Sequence, residues 1–362
     1  MAYSTISKPS LHFNTVLYTS NNGTSPRTIS GVGFQPDFVW VKNRDDANYN
    51  HVLNDSVRGL NKILNSDTSG AELAANHAGG YISSANSDGF VVTAGSSNLS
   101  NYDTGTNKQV VWNWLASNST ASNTDGSITS TVSANTTSGF SIVKYDSTRT
   151  PSAVQTVGHG LGVSPDVLIF KNLNETQNWL VWHKDIATDK HLNLNTNSAL
   201  NTDSGSLNNT APTSSVFTIG ADGRTNSSTE GNPIVCYAFA EKKGFSKFGS
   251  YTGNGNANGT FVYTGFKPAF ILSKKSSGSG THWTIWDNKR SSSGGNPTDK
   301  ILHPNVNNAE NTADDTDFLS NGFKLRATAS GMNNSGDTYI FMAFAAEPLV
   351  ANVGASIPAT AR

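Results

Sequence analysis

A turn of the form Gly-x-x-Pro, running into an apolar stretch that closes on lysine, occurs three times, at residues 33–42, 162–171 and 265–274. In each copy the lysine (Lys42, Lys171, Lys274) stands six residues after the proline. Further along each copy comes a second shared run: Val111-Trp112-Asn113-Trp114-Leu115-Ala116, then Val235-Cys236-Tyr237-Ala238-Phe239-Ala240, then Ile340-Phe341-Met342-Ala343-Phe344-Ala345. Self-similarity in a fixed order over about a hundred residues means one folding unit used repeatedly. The units fall at residues 14–117, 139–241 and 242–347. Residues 1–13 form an N-terminal arm, 118–138 a linker rich in Ser, Thr and Asn, and 348–362 a small, Pro-containing tail that lies extended against a neighbour or loose.

The local signals within each unit are those of strands. Phe38-Val39-Trp40-Val41, Val167-Leu168-Ile169-Phe170 and Phe270-Ile271-Leu272-Ser273 are short, mostly β-branched or aromatic, and apolar on both faces, as a central strand requires. Asp88-Gly89-Phe90 and Asn321-Gly322-Phe323 place a hairpin turn directly before a strand. Residues 56–64 are the one stretch that could form a short helix. Only 14% of residues are charged, and the Gly, Ser, Thr and Asn that replace them favour turns and strand edges over long helices. The expected fold is all-β: three antiparallel β-sandwiches in a row.

A formal net charge of -1 gives no basic field for nucleic acid or an anionic bilayer. No stretch approaches the roughly 20 apolar residues of a membrane span, and the first residues lack the basic and apolar parts of a secretory signal. The single cysteine, Cys236, sits in an apolar run and reads as a buried thiol, so folding without disulfides in a reducing cytoplasm is expected.

The opening Met1-Ala2-Tyr3-Ser4-Thr5-Ile6-Ser7-Lys8-Pro9-Ser10, with Phe13-Asn14-Thr15 and Tyr18-Thr19, resembles the start of a family of marine bacteriophage virion proteins. So do residues 31–42, Tyr251-Thr252-Gly253-Asn254-Gly255, residues 264–270 and 339–345. The resemblance covers most of the chain and is strongest in units one and three. It implies lectin-like, concanavalin-type jelly-roll sandwiches in a tail fibre, a tail-associated protein or another component of the particle surface. It offers no catalytic residues.

A search for chemistry finds little. Asp185 and Asp189 beside His183 and His191 are the nearest approach to a cluster, without zinc-ligand spacing. Asp314, Asp315 and Asp317 are weak candidates for calcium, lacking the glycine and final glutamate of an EF-hand loop. The comparable stretches at residues 65–70 and 201–206 read as solvated turns. The glycine-rich 158–162 enters a strand, with no phosphate-cradling helix after it. No cofactor is expected.

The aromatics are the better lead. Trp179-Leu180-Val181-Trp182 recurs as Trp283-Thr284-Ile285-Trp286, where unit one has His51-Val52-Leu53-Asn54. Residues three apart on a strand face opposite sides, so one tryptophan of each pair is expected to pack inward and the other to be less buried. Trp182 and Trp286 are therefore the candidates for contact with a host-surface glycan. These readings converge on a non-enzymatic virion protein, a tail fibre or tail-associated adhesin assembled in the host cytoplasm. Its expected partners are other virion proteins and its own copies, a trimer being the first expectation. The alternative is a decoration or cement protein of the phage head.

Overall fold

The apolar runs that end in lysine become the central strands of three sheets. A computed structural model describes residue 4 and residues 6–148 and 154–348. Among these the only helical element is a 3-10 turn at Pro9–Leu11, and no helix is long and apolar enough to cross a membrane. The tail at 349–362 lies outside the described residues.

Unit one holds β1 (Phe13–Thr19), β2 (Arg27–Ser30), β3 (Phe38–Asn43), β4 (Val52–Asp55), β5 (Leu64–Asn65), β6 (Tyr81–Asn86), β7 (Gly89–Thr93) and β8 (Lys108–Trp114). An inner sheet in the order β1-β8-β3-β4-β5 faces an outer sheet β2-β7-β6. Unit two holds β9 (Ala121–Asn123), β10 (Ser130–Asn135), β11 (Phe140–Asp146), β12 (Gln155–Gly158), β13 (Val167–Asn172), β14 (Leu180–His183), β15 (Lys190–Asn193), β16 (Asn201–Thr202), β17 (Val216–Ile219) and β18 (Pro233–Phe239). Its inner sheet runs β16-β15-β14-β13-β18-β11-β10-β9, and its outer pair is β12-β17. Unit three holds β19 (Ser246–Thr252), β20 (Phe261–Tyr263), β21 (Phe266–Lys275), β22 (Thr284–Asp287), β23 (Thr298–Ile301), β24 (Asn311–Leu319), β25 (Gly322–Leu325) and β26 (Thr338–Pro348). Its sheets are β19-β26-β21-β22 and β20-β25-β24-β23. All strand pairings are antiparallel, and every residue of β3 and β13 is buried, as their composition requires.

The three sandwiches do not stand in a row. Their inner sheets meet face to face, so one apolar cluster contains Phe13, Trp112 and Trp114 from unit one, Tyr237 and Phe239 from unit two, and Phe270 and Phe344 from unit three. Trp114, Phe239 and Phe344 touch one another pairwise, with ring centroids 5.7–6.5 Å apart. They also occupy the same place in their units, opposite Phe38, Val167 and Phe270 on the neighbouring central strand. The units are thus related by an approximate threefold arrangement about these rings. Units one and three keep separate interiors between their own two sheets.

Three expectations are corrected here. The second shared run is one residue out of step in unit one: Val110, not Val111, matches Val235 and Ile340, so Trp112 corresponds to Tyr237 and Met342. A slip of one reverses every side chain's face on a strand, which makes the difference consequential. The linker at 118–138 supplies β9 and β10 and extends the inner sheet of unit two, with Ile128 and Val132 buried. Residues 56–62 form turns, Ile63 a β-bridge and Leu64 the start of β5, with no helix among them. The Asp55 carboxylate accepts from the N–H groups of Val57 and Arg58, and Gly59 takes a φ of 104°, where helix cannot continue. The arm does belong to the body: Ile6 is buried in the shared cluster.

Candidate functional site

Side-chain hydrogen bonds cross all three seams between units. Between units one and two, Tyr237 Oη donates to Asp55 at 2.8 Å, and Trp179 Nε1 donates to the Asn65 carbonyl at 2.9 Å. Between units two and three, Trp283 Nε1 donates to the Asn193 carbonyl at 2.9 Å, and His183 Nε2 meets the Phe341 carbonyl at 3.2 Å. Between units three and one, Trp112 Nε1 donates to Asp287 at 2.9 Å, and Arg44 forms a two-pronged pair with Glu310 at 2.8 and 2.9 Å. The ring of units is closed.

Two of the three seams carry the same buried ionic group. Asp55 pairs with Arg58, which reaches Glu72, and Asp287 pairs with Arg290, which reaches Glu310. In each the aspartate and arginine side chains are fully enclosed, and each guanidinium also donates to a strand carbonyl, of Leu53 or Ile285. At the third seam His183 stands where Asp55 and Asp287 stand. Burial holds its imidazole at about 4, so it is neutral there. Buried pairs of this kind fix geometry more than they add stability.

The repeated lysines are internal braces. Lys42 donates to the carbonyls of Asn43, Asp46 and Tyr49 and, across a seam, to that of Asn307 at 3.0 Å. Lys171 donates to those of Asn172 and Glu175, and Lys274 to that of Thr281. All three are fully buried, and burial lowers each to about 8. Each holds the loop after a central strand against that strand's end.

The candidate tryptophans are both buried. Trp182 is 4% exposed and packs in the shared cluster. Trp286 is 1% exposed, lies between the sheets of unit three and donates to the Asp314 carbonyl. The expectation that one tryptophan of each pair would be less buried fails because the inner sheets are covered on both faces, by their own outer sheet and by the other units. Trp179 and Trp283 fill the seams instead.

The acidic candidates do not converge. Asp314, Asp315 and Asp317 lie on β24, where Asp314 takes a positive φ of 56° and the ladder to β23 is interrupted. Asp317 pairs with Arg326, and burial raises the Asp314 carboxyl. Among the described residues no three His, Cys, Asp or Glu side chains gather as a metal site. His183 and His191 are also separated in role: the first sits at a seam, the second against Arg224.

His191 belongs to a group that sequence reading missed. Arg224 bridges Asp203 and Asp222, while Ser206 Oγ donates to both carboxylates at 3.1 and 2.8 Å. The bond to Asp222, then burial, raises Asp203; Asp222 is held down against burial by its bonds to Arg224 and Asp203. Residues 201–206 are therefore anchored in an ionic cluster and are not merely a solvated turn. The only sequence signal was the isolated Arg224 in a polar stretch. Both carboxylates are paired with the arginine.

The geometry defines a class: an all-β protein in which three sandwiches close around one aromatic core, with buried ionic groups at two of their three joints. The chain belongs to the family described as a domain of unknown function, DUF7483, whose model matches residues 8–348. No curated protein and no solved structure matches it.

Proposed function

We propose that this chain is a non-enzymatic structural protein of a bacteriophage particle, placed in a tail fibre or tail-associated position where it meets the host surface. The observation that carries the reading is that the ionic groups enclosed at two joints and all four paired tryptophans serve the joints and cores of a three-lobed body. Each lobe turns its outer sheet away from the shared core, so one chain offers three related surfaces. Weak contacts repeated in this way gain about 10²–10⁴ in avidity when several engage one surface. The resemblance of the repeat segments to virion proteins supplies the setting. With Trp182 and Trp286 enclosed, contact with host glycan falls to the outer sheets and loops.

The internal threefold arrangement favours a second reading, decoration of the phage head, because a body with three similar faces suits a threefold position on a shell. Gold-labelled antibody against the purified chain, applied to intact particles, separates the two. Label on tails, together with binding of the protein to host cells, is the expected result. Label on heads selects the second reading, and no label on particles removes both.

A further inference from the structure

The residue just past β4, β14 and β22 holds one place in all three units. Ser56, Lys184 and Asn288 each donate the backbone N–H to a carbonyl at the start of the central strand's apolar run, that of Asp37, Asp166 or Ala269. In units one and two the same pair is joined a second time through side chains. Ser56 Oγ donates to Asp37 at 2.7 Å, and Lys184 Nζ pairs with Asp166 at 3.3 Å. In unit three an alanine takes the place of the carboxylate, and the enclosed Oδ1 of Asn288 accepts no bond.

The chain then takes a longer path in unit three. Residues 288–301, which include β23, stand where units one and two have the shorter stretches 56–63 and 184–191. The loop before β23 is fastened from within and to β24. Ser291 Oγ donates to the Gly295 carbonyl at 2.7 Å, and the Ser292 N–H donates to Asp299 at 2.9 Å. The Asn296 amide exchanges two bonds with the backbone of Phe318, at 2.8 and 3.0 Å. Loop, β21 and β24 together bound a pocket of about 210 Å³. Lys267, Asn288 and Thr298 line it with an ammonium, an amide and a hydroxyl, and none of these three groups has a partner among the described residues. Phe318 adds an apolar flank. Glu347 stands opposite Lys267 in the ladder, yet it lines a separate hollow beside the N-terminal arm.

We infer that this pocket binds a single sugar residue that carries an anionic substituent, a carboxylate or a sulfate. The inference rests on the reading of the chain as a host-contacting protein and gives that contact a place in unit three. A small concave site with a few convergent polar groups is the usual form of a small-molecule site. The Lys267 ammonium meets the anionic substituent as a compact point charge. The Asn288 amide and the Thr298 hydroxyl each donate and accept, as sugar hydroxyls require. Phe318 offers apolar surface to the C–H face of the ring. The space suits one pyranose ring and is too short for an extended peptide. Because the loop is already held by its own bonds, little ordering opposes binding. Units one and two fill the matching place with internal bonds, so each chain carries one such pocket, and multivalent contact comes from several copies of the chain.

The test titrates the full chain with D-glucuronic acid and with glucose 6-sulfate, against D-glucose and inorganic sulfate, read by saturation-transfer NMR. At least one anionic sugar should bind saturably, about tenfold or more tighter than glucose. Lys267→Gln should remove that preference, and Asn288→Ala should weaken the anionic sugar about tenfold. Neither change removes a partnered group, so both variants should keep the melting temperature of the parent. Ala269→Asp, which restores the carboxylate of the other two units, should abolish binding. No saturable binding of either anionic sugar up to about 20 mM overturns the proposal, as does binding that Lys267→Gln and Asn288→Ala both retain. Glucose bound equally well removes the anionic requirement, and inorganic sulfate bound as tightly as the sugars leaves a bare anion site; either result rejects the inference. Host cells bound by a chain that takes up no sugar reject the pocket and leave the adhesin reading standing. Sugar bound through these residues by a chain that ignores host cells does the reverse.

Discussion

The indole of Trp112 donates its Nε1 proton to the carboxylate of Asp287 at 2.9 Å, joining the first unit to the last across 175 residues of chain. Arg290, paired to the same carboxylate, lies 5.5 Å over the Trp112 ring. The contact closes a ring that the order of units along the chain leaves open. Each inner sheet then has its second face buried by the other two units, so every unit shares part of its apolar core with its neighbours.

The full chain should accordingly melt as one cooperative transition, and residues 4–117 expressed alone should aggregate or remain without fixed tertiary structure. Calorimetry on the chain reads this directly, through the ratio of calorimetric to van't Hoff enthalpy. Two or three separable transitions would show that the sandwiches are independent.

Removing one member of a buried ionic group should be costly. Arg58→Met leaves Asp55 enclosed without its cation and should lose about 3–5 kcal/mol in urea unfolding. Adding Asp55→Asn should recover most of that loss. Tyr237→Phe deletes a single hydroxyl bond to Asp55 and should cost about 1–2 kcal/mol. Equal losses for all three variants would contradict the assignment of charge desolvation as the dominant effect.

Acid should destabilise the protein through its neutral histidines. Burial holds His183 at about 4, and burial with Arg224 holds His191 at about 4, against an ordinary 6.5. Between these values the unfolded chain takes up protons that the folded chain refuses. Stability from this source is therefore complete above pH 6.5 and is lost as pH falls towards 4, by about 3 kcal/mol for each histidine. His183→Gln should flatten the slope of stability against pH across that window, and an unchanged slope would remove His183 from the account.

Trp182→Ala and Trp286→Ala should each cost about 3–5 kcal/mol, because they empty enclosed positions. The milder Trp182→Phe and Trp286→Phe should leave host-cell binding at the wild-type level. A specific loss of binding by a stably folded Phe variant would return these side chains to the surface.

The elements were legible in the sequence and their assembly was not. Buried central strands announced themselves as two-sided apolar runs, and Asn321-Gly322 gave the β24–β25 hairpin, since both signals are local. Whether a strand's second face meets water or another unit depends on contacts far apart in sequence, so Trp182 and Trp286 were misread as candidates for a surface. The repeated lysines had no evident purpose until their carbonyl partners could be seen. Residues 118–138 had the composition of a loop, yet Ile128 and Val132, their only large apolar side chains, are buried where the segment joins a sheet edge.

Joining three lobes in one polypeptide also frees them from identity. In an assembly of three separate copies every substitution arrives in triplicate. Here Gly249 stands in one lobe where the others carry Val16 and Val143, two added strands extend the sheet of another, and His183 leaves one joint uncharged while its counterparts keep their aspartates. Selection can specialise one face of this body and leave its common centre untouched.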